Sequence, residues 1–246
     1  MYNPKFVTRF LFLILVCVIT ASLLMTLPGR TDQDNNNTAP EKPDIKLKMD
    51  IKELAKDPDD PSELNRRLSK NHRYERGRGK SLTELPLGKG AGRVDESPSL
   101  PPLPLAESDL VILGKVIKAQ PYLSAKKTSI YSEFTAQVQD VFKNNTATPL
   151  SAGESIIVDR EGGALRMPSG QLLVYEVSGI GDLPREGKQY VFFLRQVNNQ
   201  LDTAIITAYE LQDGRVIPLE RHNKNSKYSN LDRATFLKEV RSNLAQ

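Results

Sequence analysis

The sequence predicts a mainly β protein. It expects one small antiparallel barrel or sandwich, behind an N-terminal transmembrane helix and a disordered tether, and ahead of a C-terminal amphipathic helix. Three observations lead there. Residues 10–27 are 18 consecutive uncharged, mostly apolar positions. Residues 31–104 hold nine of the 16 prolines and a single aromatic, Tyr74. Residues 105–220 hold nine of the 16 aromatics, in short strand-like runs separated by turn residues.

The apolar run comes first. A bilayer core about 30 Å thick needs roughly 20 helical residues, so residues 10–27 just reach across. Phe10, Leu13, Val16, Ile19, Leu23 and Leu27 are the expected lipid-facing positions, and the bilayer is the expected partner of residues 10–27. Lys5 and Arg9 precede the run, which orients the N-terminus to the cytoplasm and the rest of the chain outward. A cleaved signal peptide with secretion is the alternative. Ile19-Thr20-Ala21 is a poor cleavage site, and the run continues beyond it. Cys17 reads as a small apolar residue, because Val16 before it is a poor fit to a lipidation site. As the only cysteine, it excludes a disulfide scaffold.

The tether, residues 31–104, is too poor in apolar residues to offset its ordering entropy. One marginal helix is expected within it, capped by Asp60, with Pro61 at its first position and Glu63 completing a capping box. The tether's charge is segregated. Residues 31–65 carry five lysines against ten acids, and residues 66–104 carry nine bases against four acids. The densest basic stretch, residues 73–80, reads as a solvated linker or as a contact for an anionic partner.

Strands are expected from residue 109 onward. Residues 109–117 begin as a continuous apolar run. Residues 131–141 alternate, with Phe134, Ala136 and Val138 on one face and Glu133, Thr135, Gln137 and Gln139 on the other. Residues 155–161 form a third strand, ended by Gly162 and Gly163. A hairpin is expected around Pro168-Ser169-Gly170, a central strand at residues 190–194, and a tight hairpin across Asp213-Gly214. Gly114 and a bulge near Asp140 would bend the early strands, as a small barrel of the oligonucleotide/oligosaccharide-binding (OB) type requires.

Three strings carry a resemblance: residues 108–116 (SDLVILGKV), 134–143 (FTAQVQDVFK) and 187–194 (GKQYVFFL). They resemble the opening, second and late core strands of small exported bacterial β domains, which are netrin-like and OB-like in pattern. The resemblance covers residues 106–220 and implies a barrel without an assigned activity. The disulfides of netrin-like modules have no counterpart here.

After a polar connector, Phe236, Leu237, Val240 and Leu244 form one stripe at helical spacing. Packing on the β domain and recruitment of a partner both fit that stripe. The organisation expected is thus a stub and anchor helix (1–30), a linker (31–104), a β domain (105–220), and a connector with its helix (221–246).

Parts for catalysis are few. The β domain has no histidine and no cysteine; His72 lies in the tether and His222 just past the last strand. Asp159 and Glu161 share a strand face and, with Glu176, are the carboxylates a polysaccharide- or ester-acting hydrolase would use. Arg160 and Arg166 are their expected ion partners. The glycines at 162–163 and at 179 and 181 read as turns between strands, and no cofactor or metal is expected. The chain is +4, but residues 105–220 carry 11 bases against 14 acids, so nucleic acid is not an expected partner. The function expected is therefore an extracytoplasmic binding or envelope-associated module without catalysis. Its partner would be an envelope protein or glycan met at residues 121–128, with Tyr122, Lys126 and Lys127, or at residues 180–186. A hydrolase and an assembly subunit acting through the C-terminal helix are the alternatives.

Overall fold

The computed structural model describes residues 49–75, 80–86, 90–94, 100–179, 181–197, 202–220 and 225–245. The chain divides between residues 45 and 46, and all described residues belong to the second unit. The expected membrane span, Cys17 and His222 lie outside the described residues. Among the described residues no helix is long and apolar enough to cross a membrane.

The protein is mainly β, with two sheets. The larger uses β3 (Leu110–Leu123), β4 (Ile130–Asn144), β5 (Ser155–Glu161), β8 (Gln189–Val197), β9 (Asp202–Gln212) and β10 (Arg215–Pro218). Its pairing path is ring-like. Strand β3 pairs with β4, β4 with β5, β5 with β9, β9 with β8, and β8 returns to β3. Every contact on this path is antiparallel except β5–β9, which is parallel and short. Strand β10 hangs from β9 outside the ring.

The sequence explains the bends. The β3–β4 register slips between Val111 and Ile112, between Leu113 and Gly114, and between Val116 and Lys118. Each slip leaves one residue unpaired and increases local twist, which lets long strands curl. Across the β9–β10 turn, Asp213 and Gly214 both have positive φ, 49° and 75°. That is the left-handed pair a two-residue hairpin demands, and glycine adopts it without a Cβ clash.

Alternating residues fill the inside of the ring. Ile112, Val116, Phe134, Ala136, Val138, Val158, Tyr190, Phe192 and Leu194 form one buried cluster. The apolar run in β8 is continuous because its other face is covered too. Val191 and Phe193 pack with Tyr209, Val216 and Tyr228 against helix α2 (Arg233–Leu244). Phe236 and Val240 of that helix are buried there, with Leu237 and Leu244 half-buried beside them. The candidate partner stripe therefore packs on its own domain, because the second face of β3, β8 and β9 is apolar and needs a cover. The helix cap is Asp232, whose carboxylate accepts from Thr235 N at 3.0 Å.

The smaller sheet corrects the expected boundary at residue 105. Its order is β1–β6–β7–β2, where β6 (Gly163–Arg166) and β7 (Leu172–Ser178) form the hairpin around Ser169. Both edges come from the stretch read as a disordered tether. Strand β1 (Ile51–Glu53) runs parallel to β6, and β2 (Ala91–Val94) runs parallel to β7. Between them lie helix α1 (Pro61–Arg73) and a single 3-10 turn (Leu82–Glu84) whose Leu82 is buried under the hairpin with Ile130, Leu165, Leu173 and Tyr175. An otherwise bare hairpin has two rows of unpaired backbone groups, and strands β1 and β2 cover them. Close approach explains Gly163: at φ 155°, an added Cβ would meet Ile130 at 2.7 Å and Ser132 Oγ at 2.8 Å.

Two buried contacts of α2 should dominate its energetics. Phe236→Ala should cost about 3–5 kcal/mol in urea unfolding, the usual range for a buried phenylalanine, and Leu244→Ala distinctly less. Equal and small losses would mean that the helix does not seal the sheet.

Candidate functional site

The polar centre of the molecule lies where α1 meets the outer face of the ring. The helix forms for local reasons. Asp60 accepts from Ser62 N at 2.9 Å, Pro61 supplies the fixed φ of a first turn, and Lys70, His72 and Arg73 sit at the negative end of the helix dipole. Glu63 does not close a capping box. It takes Arg66 instead, at 2.6 Å, and that guanidinium holds its carboxyl below the usual range. With 13 residues the helix runs for more than three turns.

Three of its cations lie at positions i, i+4 and i+7 and face the ring. Lys70 Nζ is 2.7 Å from Glu133 Oε1, 3.0 Å from Asp159 Oδ2 and 3.2 Å from Asp202 Oδ1. These carboxylates come from three strands, β4, β5 and β9. Arg66 reaches Glu133 at 3.2 Å; Arg73 reaches Asp159 at 2.5 Å and Asp202 at 3.3 Å. Lys70 is 1% exposed and Asp159 0%, so the cluster sits away from water, where an ammonium left without carboxylates would be very costly.

Aromatics wall the cluster. Tyr74 Oη donates to Asp159 Oδ1 at 2.5 Å. The Tyr74 ring stacks on Tyr131 at 4.8 Å, Tyr131 stacks on Tyr122 at 5.5 Å, and Arg67 lies over Tyr122 at 4.5 Å. Burial pushes the Tyr74 phenol well above its ordinary range, and the neighbouring Asp159 adds to this. Desolvation does the same to Tyr131, Tyr190 and Tyr209.

The carboxylates singled out from the sequence do not meet as a pair. Asp159 points into the cluster, whereas Glu161 takes Arg93 of β2 at 2.8 Å and Glu176 lies exposed on β7. Their partners were expected to be Arg160 and Arg166. Instead, Arg160 points to the opposite face of β5 and binds Glu220, which also accepts from Thr207. Arg166 makes an exposed contact with Glu53 at 3.7 Å and donates to Gly170 O at 3.4 Å. His72 is exposed and lies 3.8 Å from Glu75. Among the described residues no group of three histidine, cysteine or acidic side chains is placed to hold a metal ion.

The two candidate recognition loops are largely tied down. Tyr122 is in the aromatic stack and Lys126 holds Glu75 at 2.6 Å. In the other loop, Arg185 pairs with Glu210 at 3.0 Å, and Glu186 accepts from Ala119 N at 2.7 Å. A shallow groove opens beside that loop, bounded by Lys52, Pro121, Ser132, Leu183 and Arg185. It gathers fewer charged groups than the cluster under α1.

No family model matches this chain, and no curated protein matches it. The site is therefore read from its own geometry. Alternation alone puts Glu133 on the outer face of its strand, and composition puts Lys70 and Arg73 in the tether, Arg73 within the basic stretch that fits a solvated linker or an anionic partner. One sequence signal could have joined them: a strand domain with more acids than bases follows a tether segment with more than twice as many bases as acids.

The raised phenols set an alkaline limit. Each phenol's folded pKa lies above its unfolded value near 10, so its stabilising effect is complete below pH about 10 and is lost as pH rises from there. Stability should fall above pH about 10 by roughly 1.4 kcal/mol per pH unit for each phenol held neutral. Near-ultraviolet titration should show Tyr74, Tyr131, Tyr190 and Tyr209 ionising only together with unfolding. Free titration of all eight tyrosines in the folded chain would contradict this burial.

Proposed function

We propose that the chain is a membrane-anchored, extracytoplasmic binding module built on an OB-like barrel and associated with the cell envelope. The observation that carries the fold reading is the closing order of the ring. Counted along the chain, its strands join first to second, second to third, third to fifth, fifth to fourth and fourth to first, with the third–fifth contact parallel. That order fits a five-stranded Greek-key barrel of the OB type, a fold that presents its second and third strands and adjoining loops to ligands. Address follows from the 18-residue apolar run with basic residues before it. A binding role fits the polar chemistry. The carboxylates that a hydrolase would use are engaged by lysine and arginine or stand apart on an exposed strand. The partner class is an envelope protein or glycan.

Site-directed labelling tests the address. Ser169 is exposed at the tip of the β6–β7 hairpin. In a Cys17→Ser background, Ser169→Cys should react with a membrane-impermeant thiol reagent on intact cells, and the protein should sediment with membranes. Labelling only after lysis would overturn the outward placement. Recovery in the soluble secreted fraction would replace the anchor with a cleaved signal.

A further inference from the structure

Three acidic residues on three strands converge on one point, and the cations of α1 that face them come from a distant part of the chain. Glu133, Asp159 and Asp202 lie 63, 89 and 132 positions from Lys70 in sequence. The helix that delivers the charge brings little apolar surface with it. Its buried side chains are Arg67 and Lys70, while Leu68 is exposed. Asn71, in the last turn of the helix, meets Tyr131 Oη at 2.8 Å, and Tyr74, just past the helix, stacks on the Tyr131 ring. Ion-pair interfaces of this kind select partners by charge geometry and return less net affinity than apolar burial of the same area, because both sides must shed water. An arm held this way can exchange with another segment of the same chemistry.

We propose that the Glu133–Asp159–Asp202 face is the module's recognition surface, that α1 occupies it as a ligand in cis, and that its partner in trans is a helical protein segment bearing three cations at i, i+4 and i+7. The proposal deepens the binding-module reading and rests on it. The spacing is specific. Arg66, Lys70 and Arg73 lie on one stripe of a helix and reach carboxylates on β4, β5 and β9, so a segment with shifted cations would meet the ring with one charge unpaired. Tethering sets the threshold for exchange. An arm in cis acts at an effective concentration of about 1 mM, so a peptide that binds the open face at ~10 µM would be weakened about 100-fold by the closed chain.

The test uses a labelled synthetic peptide of residues 60–75 and the full-length chain in detergent. Three chains are compared: the wild type, an open chain with Arg66→Met, Lys70→Met and Arg73→Met, and that open chain carrying Glu133→Gln, Asp159→Asn and Asp202→Asn as well. The peptide should bind the open chain, bind the wild type at least about 30-fold more weakly, and lose binding when the carboxylates are neutralised. A peptide with its three cations each moved one position should not bind. Hydrogen exchange on the wild type keeps the test decisive if the open chain does not fold. Excess peptide should speed exchange of the α1 amides and leave the β3, β4 and β8 amides protected. No binding to a folded open chain, binding that ignores the carboxylates, or α1 amides that exchange only with global unfolding whatever the peptide concentration would each overturn the proposal. Those outcomes leave the Ser169 labelling result untouched, so failure here removes the ligand and not the anchored module.

Discussion

One ammonium group organises this molecule. Lys70 sits where strands β4, β5 and β9 each present a carboxylate, and two flanking arginines complete the neutralisation. Without those cations, three acids would face one another at short range, and like charges at that distance cannot all stay ionised at low cost. The parallel β5–β9 contact lies at this place, with Asp159 opposite Ala204. The ring is thus joined at its shortest pairing where the charge problem is greatest, and residues 61–74 resolve it from outside.

The same segment meets a second need. The β6–β7 hairpin lies apart from the ring and has two edges, and strands on either side of α1 cover them. Backbone pairing of three and four residues is weak taken alone, but the segment is pinned between the two edges by α1 and by Leu82 under the hairpin. Edge pairing, apolar burial at Leu82 and charge at Lys70 therefore act on one continuous arm. The far side of the ring works differently. Helix α2 covers it by apolar packing of Phe236 and Val240. One side of the ring is closed with hydrocarbon, the other with charge.

That difference explains what could be read in advance. Strand β5 was legible to the residue, because glycines end it and its apolar positions are unambiguous. The hairpins at Ser169 and at Asp213-Gly214 were legible from turn chemistry, and the apolar stripe of α2 from its period. Helix α1 was legible as a local event, through Asp60 and Pro61, but its docking was not. Its contact face is a stripe of cations, which a hydropathy pattern scores as solvent-facing, and its partners lie 63 or more positions away. Strands β1 and β2 are too short to leave a periodic signal, and Gly92 and Lys52 argue locally against them. Glu133 misled for a related reason: alternation along β4 separates the ring's interior from its exterior, and says nothing about what covers the exterior.

The carboxylate face needs the cation of Lys70, and a charge-neutralising cycle tests this most directly. Unfolding by urea would be measured for the wild type, for Lys70→Met, for Asp159→Asn, and for the two together. Lys70→Met should lose about 3–5 kcal/mol, because it leaves three carboxylates facing only Arg66 and Arg73, and the double variant, with two carboxylates facing two arginines, should recover most of that loss. A loss below about 1 kcal/mol for Lys70→Met, or no recovery on neutralising Asp159, would show an ion pair worth no more than an exposed one and would contradict the account.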